Sequence, residues 1–169
     1  NSTSPGHNSS NGFVVSGSYS NLYGALHPDN YLISPMVALG GFISFYACAQ
    51  DENYAAEHFG VAVSTTSNTN PDDFTTIQEW TLSAKRTTPP MGATRGGNRN
   101  QGTWYQYSVD LSAYDGQGYV AIRHFNCTDM FLLDIDDITI EYDHIDYTFL
   151  EGQTCTLTAA AYEHYSFVN

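Results

Sequence analysis

The sequence predicts an all-β domain, built as a two-sheet antiparallel β-sandwich of jelly-roll type. Eight short segments rich in β-branched and aromatic residues are bounded by Gly, Pro, Asn or Asp, which is the pattern of strands separated by turns. No window shows convincing apolar periodicity of 3.6 residues, so no α-helix is expected between the strands. Charged residues make up only 14% of the chain and aromatic residues another 14%, which suits a secreted β-sandwich.

The predicted strands follow one another along most of the chain. They cover residues 12–18, 30–34, 41–49, 57–64, 76–82, 103–111, 118–125 and 130–142. In the segment NPDDF, Asn70 is placed to cap a single helical turn whose first residue is Pro71. Eight strands without intervening helices fit two packed sheets, and we assign residues 1–142 to this domain.

The last predicted strand, residues 130–142, changes face in the middle of its run. Apolar residues alternate with one phase up to Ile135 and with the opposite phase from Ile138 onward. Because side chains in a strand have a period of two, this change requires one extra residue. We therefore predict a β-bulge at Asp136 and Asp137, where two carboxylates lie between apolar residues. Buried carboxylates need a compensating charge, and Ca²⁺ is the simplest one.

Four acids are candidate calcium ligands: Asp29, Glu57, Asp136 and Asp137. Asp29 precedes a strand at a Pro-bounded turn, where an ordinary Asx turn is an equal alternative. Glu57 begins another strand, where it is equally explained as a strand-end acid. The spacing around Asp136 is not that of an EF-hand, since the glycine and the distal glutamate are absent.

The chain is strongly acidic, with 5 basic residues against 18 acidic ones and a net charge of −13. This balance argues against nucleic acid as a partner, because phosphate binding depends on clustered Lys and Arg. It also argues against attachment to anionic lipid, and no apolar run is long enough for membrane insertion. The charge favours cation binding, although solubility explains it equally well.

Several motifs carry a family resemblance that spans roughly residues 6–142. The chain resembles the cleaved adhesin domain of gingipain proteases and haemagglutinins, through GHNSSN (6–11), HPDNYLISP (27–35), FYACAQDENYAAEHFGVAVSTT (45–66), QGTWYQYSVDL (101–111) and RHFNCTDMFLLDIDDITI (123–140). The resemblance implies a jelly-roll β-sandwich with bound Ca²⁺, which adheres to host proteins or cell-surface components. It also implies a secreted or bacterial cell-surface location and neighbouring domains in a larger protein. The Asp-rich turn with which family members usually open is absent, so a site that uses it would need other ligands.

Two segments stand apart from the predicted sandwich. Residues 85–101 contain four of the five basic residues and many Gly and Pro, so we expect a long loop. We expect Arg95 and Arg99 in this loop either to contact a partner or to interact with the acidic surface of the rest of the domain. Residues 143–169 resemble the start of a small β-module that is repeated in bacterial surface proteins, and we expect a junction and a partial second module there.

The remaining candidates concern chemistry and recognition. None of the three cysteines has zinc-ligand or CxxC spacing, and free thiols are expected, with a Cys48–Cys127 bridge as the alternative. Motifs of hydrolases and metalloproteases are absent, and His124 is expected to be structural, so we predict a non-catalytic adhesin domain. Trp104 is a candidate for partner binding, through contact with a host protein or stacking on a glycan. A carbohydrate-binding module attached to a secreted enzyme is therefore the alternative function, and a jelly-roll hydrolase ranks below both.

Overall fold

The computed structural model of the protein describes residues 6–83 and 101–142. Within these ranges the chain forms eleven β-strands and two single 3-10 turns, and no α-helix. The strands are β1 (Val14–Gly17), β2 (Tyr19–Ser20), β3 (Gly24–Ala25), β4 (Asn30–Ile33), β5 (Val37–Ala38), β6 (Phe42–Ala49), β7 (His58–Ser64), β8 (Thr75–Thr81), β9 (Tyr105–Asp110), β10 (Gln117–His124) and β11 (Leu132–Glu141). The 3-10 turns are His7–Ser9 and Pro71–Asp73.

The eight predicted strands are confirmed, with ends that shift by one or two residues. The helical turn is confirmed as well, since the Asn70 side chain accepts a hydrogen bond from the Asp72 amide at 3.2 Å. Strands β2, β3 and β5 were not predicted, because two residues are too few to show a period of two. The turn at His7–Ser9 was not predicted either.

The strands form two antiparallel sheets, which confirms the predicted sandwich. One sheet has four strands in the order β1-β11-β6-β9. The other has the order β4-β10-β7-β8, with β5 also paired to β10. Strands β2 and β3 make a separate two-stranded ribbon. Apart from β7 and β8, neighbours within the two large sheets are not consecutive along the chain, so residues from both halves of the sequence meet at the sheet ends.

An aromatic and aliphatic core lies between the two sheets. Phe45 from β6 and Phe59 from β7 are fully buried, and their ring centroids lie 6.1 Å apart. Tyr107 stacks on Phe45 at 5.6 Å, and Trp80 packs against Phe59 at 5.5 Å. Each fully buried side chain of this size contributes about 1.5–3 kcal/mol through burial. The core therefore fixes β6 against β7. The strands beside them, β11 and β10, carry the buried acidic and polar side chains described below.

Candidate functional site

The predicted bulge lies in β11 at the expected residues. Asp136 is opposite Tyr46 and Thr139 is opposite Ser44, so β11 advances three residues while β6 advances two. Asp137 has a φ of 50°, in the left-handed region that non-glycine residues seldom adopt. The extra residue turns the Asp137 side chain outward, and half of it is exposed, whereas Asp136 is buried.

The segment Gly6–Ser10 covers the bulge and hydrogen-bonds its carboxylates. The Asp136 Oδ2 atom accepts the His7 backbone amide at 2.9 Å and the Ser10 hydroxyl at 2.6 Å. The Asp137 amide donates to Asp136 Oδ1 at 2.8 Å. A Cβ atom on Gly6 would overlap both Asp136 Oδ2 and Ser10 Oγ, so the close approach requires glycine.

His7 joins the bulge to a group of aromatic side chains. Its Nδ1 atom lies 2.7 Å from Asp137 Oδ2, and its ring stacks on Tyr46 with centroids 3.6 Å apart. The Trp104 ring lies 6.0 Å from His7 and makes an edge contact with Phe13 at 6.1 Å. We name one set of residues the bulge–aromatic surface: His7, Phe13, Tyr46, Trp104, Asp136 and Asp137. Trp104 lies just before β9 rather than within it, and it is half-buried.

Asp134 is the least compensated acid near the bulge. It is fully buried, and its Oδ1 atom has no hydrogen-bond partner among the described residues. Its Oδ2 atom accepts a long bond from Gln101 Nε2, at 3.4 Å, and the Gln50 side chain also donates a hydrogen bond to the carboxylate. Burial is the main reason that the pKa of Asp134 is raised to about 7; the hydrogen bond from Gln101 lowers this pKa, and the negative charge of Glu57 raises it. Ionisation of Asp134 therefore lowers the stability of the fold unless a cation lies beside the carboxylate; without a cation, the protonated form is favoured.

Asp29 is held by a protein cation. Its two carboxylate oxygens accept Nε and Nη2 of Arg123 at 2.7 Å and 3.1 Å, an arrangement in which both ends of the guanidinium bind. The guanidinium carbon also lies 4.3 Å from the centre of the Phe125 ring and 5.0 Å from that of Tyr31. Asp29 thus has a counterion of its own, and no described hydrogen bond joins it to the bulge.

Glu57 is fully buried at the end of the five-stranded sheet, where β7 begins and β10 ends. Its Oε1 atom accepts the Ser18 hydroxyl at 2.9 Å and the Phe131 amide at 2.8 Å. Its Oε2 atom lies 3.0 Å from Nε2 of His124, which is 2% exposed. Cys127 Sγ lies 3.5 Å from the same oxygen. The structure therefore places Glu57 beside His124 and Cys127, and not with Asp29 or the bulge.

The cysteines that the structure describes are free thiols. Cys48 is buried and donates to the Gly102 carbonyl at 3.1 Å, and it forms no bridge to Cys127. Burial raises the pKa of Cys48 to about 12 and that of Cys127 to about 11. Both thiols are therefore protonated at neutral pH and weakly nucleophilic.

Ser18 is held by Glu57 and not by a histidine. The Ser18 hydroxyl donates to Glu57 and is fully buried, so no imidazole is placed to activate it. His124 instead contacts the Ser16 hydroxyl through Nδ1 at 2.7 Å. His124 is therefore buried and hydrogen-bonded at the end of the sheet, and its structural role stays a prediction. Arg95, Arg99, Cys155 and residues 143–169 lie outside the described ranges.

Sequence reasoning missed the covering segment. GHNSSN was noted for its resemblance alone, yet Gly6, His7 and Ser10 are the residues that contact the bulge. The proximity of two residues more than a hundred positions apart has no local signal in the sequence. In the sequence, the features that relate to this contact are the glycine at position 6 and the paired acids of β11.

The fold is that of a β-sandwich domain, and the similar proteins described next make it an adhesin-type, non-catalytic one. The profile of the Cleaved Adhesin Domain family matches residues 1–140, and the chain belongs to this family. It is 47% identical over 137 residues to Hemagglutinin A and 46% identical over 137 residues to Lys-gingipain W83, both of Porphyromonas gingivalis. Each match covers 80% of this chain but only 6% and 8% of the relative, so the chain spans less than a tenth of their length. In these relatives the domain is one part of a larger multidomain protein.

Solved structures give the same result for the fold. The K1 cleaved adhesin domain of Lys-gingipain from P. gingivalis W83 matches with a TM-score of 0.70 and 44% identity, over 82% of this chain and 78% of that one. The K3 domain of the same protein matches with a TM-score of 0.67 and 46% identity, over 79% and 74%. In gingipains the catalytic domain is separate from these domains. No helix in the described ranges of this chain is long and apolar enough to cross a membrane.

Proposed function

We propose that this chain is a calcium-stabilised adhesion module, whose bulge–aromatic surface binds host proteins or cell-surface components. The parent protein is a secreted or cell-surface protein of a bacterium, with further domains beside this one. One observation carries the proposal: His7 contacts the bulge through Asp137 and the aromatic rings through Tyr46. An ion that orders the bulge therefore also orders the surface that a partner would touch.

The residues around the bulge suit a hard cation. Asp136, Asp137 and Ser10 offer oxygen atoms, which Ca²⁺ prefers, and the two adjacent carboxylates carry negative charge that an ion would balance. Asp134, two residues earlier and on the same face of β11, contributes a buried oxygen without a hydrogen-bond donor. Ca²⁺ takes six to eight oxygens, so backbone carbonyls and water would complete its shell. Asp137 is the more open of the two bulge acids, and we propose it as the principal ligand.

The other two candidate ligands have different surroundings. Asp29 is neutralised by Arg123, and an ion there would have to replace a bidentate ion pair. Glu57 lies beside a nitrogen atom of His124 and the sulfur atom of Cys127, whereas Ca²⁺ prefers oxygen ligands. We therefore place the calcium-dependent part of the stability at the bulge.

The aromatic half of the surface suits recognition of a protein or a sugar. Trp104 and Tyr46 are half-buried, so their rings are held in place yet still present a face to solvent. Aromatic side chains of this kind act as anchors in protein interfaces and as stacking platforms for sugars. The name of the relative Hemagglutinin A supports attachment to cells.

Binding measured with the Trp104→Ala variant tests the proposal. Host extracellular proteins and a glycan array are probed with the wild-type chain in calcium and in chelator. We expect saturable protein binding that calcium strengthens and that Trp104→Ala weakens about 30-fold, the effect of losing about 2 kcal/mol at a hot spot. Tyr23→Ala, which removes an aromatic ring that is 77% exposed elsewhere, is the matched control and should bind normally. Saturable binding to one sugar class, lost in Trp104→Ala, would establish the carbohydrate-binding alternative instead.

A further inference from the structure

Three different metal-ligating side chains converge at the buried end of the five-stranded sheet. Glu57 Oε2, His124 Nε2 and Cys127 Sγ all lie within 4.8 Å of one another, the one such group among the described residues. Glu57 precedes β7, His124 ends β10, and Cys127 follows in the next turn. Pairing of Phe59 with His124 brings the two strand ends together.

These three atoms form a close triangle, and hydrogen bonds can bridge at most two of its sides while Glu57 is ionised. Its sides measure 3.0 Å between oxygen and nitrogen, 3.1 Å between nitrogen and sulfur and 3.5 Å between oxygen and sulfur. The neutral imidazole and the thiol supply at most two protons at these atoms, and the carboxylate supplies none. One of the three contacts therefore always joins atoms with no proton between them, whereas a central cation would satisfy all three.

We propose that Glu57, His124 and Cys127 bind a zinc-class divalent cation, at a site separate from the calcium-binding bulge. Zn²⁺ bonds of about 2.0–2.3 Å at tetrahedral angles separate ligand atoms by roughly 3.3–3.6 Å. The observed triangle needs to expand by only a few tenths of an ångström to meet these values. A carboxylate and a thiolate also balance the two positive charges of the ion.

The surrounding residues already orient the three ligands. Ser18 and the Phe131 amide hold Glu57 Oε1, which leaves Oε2 directed at the site. Ser16 Oγ contacts Nδ1 of His124 and is itself contacted by Asn30 Nδ2 at 3.0 Å. A partner on the second ring nitrogen fixes the orientation of a ligating histidine.

The chemistry of the donors selects the class of ion. Nitrogen and sulfur ligands suit zinc and similar transition metals, whereas Ca²⁺ prefers six to eight oxygens. Cys127 also lines a surface depression of about 280 Å³ with His27, Pro28, Asn126 and Thr128, so an ion would approach the site from the side of the thiol. Glu57 therefore belongs to this site for zinc-class ions and not to the calcium site.

Cobalt spectroscopy tests this site through its thiolate. The full chain carrying Cys48→Ala and Cys155→Ala keeps Cys127 as its single thiol, and Co²⁺ is added to the ion-free protein. We expect one equivalent of Co²⁺ to give a sulfur-to-metal charge-transfer band, which Zn²⁺ removes and excess Ca²⁺ does not. Adding Cys127→Ala should abolish the band and weaken Zn²⁺ binding by at least about 100-fold. Adding Ser16→Ala instead should keep the band and weaken Zn²⁺ binding about 10- to 100-fold.

Two results would overturn the zinc site. One is the absence of the band in the single-thiol protein that retains Cys127. The other is a band that persists after Cys127→Ala, since thiolate ligation would then be excluded. Near-ultraviolet circular dichroism checks that each variant is folded. The calcium response of the bulge does not depend on Cys127, so either proposal can fail without the other.

Discussion

The substitution Asp136→Asn tests whether the bulge depends on a carboxylate. Asp136 accepts three hydrogen bonds, two on Oδ2 and one on Oδ1. An amide keeps one oxygen and places a donating NH₂ group where the other oxygen was, so at least one donor loses its acceptor. Hydrogen bonds to charged groups contribute about 1.5–3 kcal/mol each. We therefore expect the free energy of unfolding to fall by about 2–3 kcal/mol, or about 5–10 °C in melting temperature.

Urea denaturation in chelator, followed by circular dichroism, measures this loss without any contribution from metal. Asp137→Asn is the matched control, because its carboxylate is half exposed and makes one contact, with His7. The control should cost about 1 kcal/mol or less, as exposed ion pairs do. Equal losses in the two variants would show that the segment Gly6–Ser10 does not stabilise the bulge through Asp136.

Three further outcomes are expected from the other acids. Burial raises the pKa of Asp134 to about 7, above its unfolded value of about 3.9. Protonated Asp134 therefore contributes stability that is fully present below about pH 4. This contribution is lost as the pH rises through about 7. Urea titrations in chelator should show the free energy of unfolding of the wild type falling by up to about 4 kcal/mol between pH 4 and 8, and Asp134→Asn should remove this pH dependence. An unchanged pH dependence in the variant would contradict this reasoning. Glu57→Ala should cost about 3–5 kcal/mol because it strips a fully buried network of its acceptor, whereas Ser18→Ala should cost about 1 kcal/mol in the same assay. Asp29→Asn should cost about 1 kcal/mol or less and leave the calcium dependence of the melting temperature unchanged, because its partner is Arg123; a lost calcium response would identify it as a ligand.

The strands and the bulge could be predicted because their signals are local. β-branched and aromatic residues bounded by Gly, Pro, Asn or Asp mark each of the eight longer strands, and the change of phase between Ile135 and Ile138 marks the extra residue. The same pattern does not say how the carboxylates are compensated. Asp136 finds its donors in His7 and Ser10, which are 129 and 126 positions away along the chain. Such contacts follow from the order of strands in the sheet, which periodicity does not encode.

The candidate ligands show the same limit. Asp29 and Glu57 were chosen as acids at strand ends, and the structure places one against Arg123 and the other against His124. Each pairing joins distant strands or loops. A one-dimensional pattern shows that a carboxylate is present at a strand end, but its neighbours decide whether it needs a proton, an arginine or a metal ion.

The calcium dependence of the melting temperature tests the central claim most directly. An ion that binds only the folded state stabilises it by about 2.7 kcal/mol at a hundredfold excess over its Kd, which raises the melting temperature on the order of 5 °C. Ca²⁺ should act more strongly than Mg²⁺, which sheds its water reluctantly, and Asp137→Ala should remove most of the calcium-dependent part and leave a folded domain. A melting curve that neither Ca²⁺ nor chelator changes would contradict calcium binding at the bulge, and an equal effect of Mg²⁺ would reduce it to charge screening.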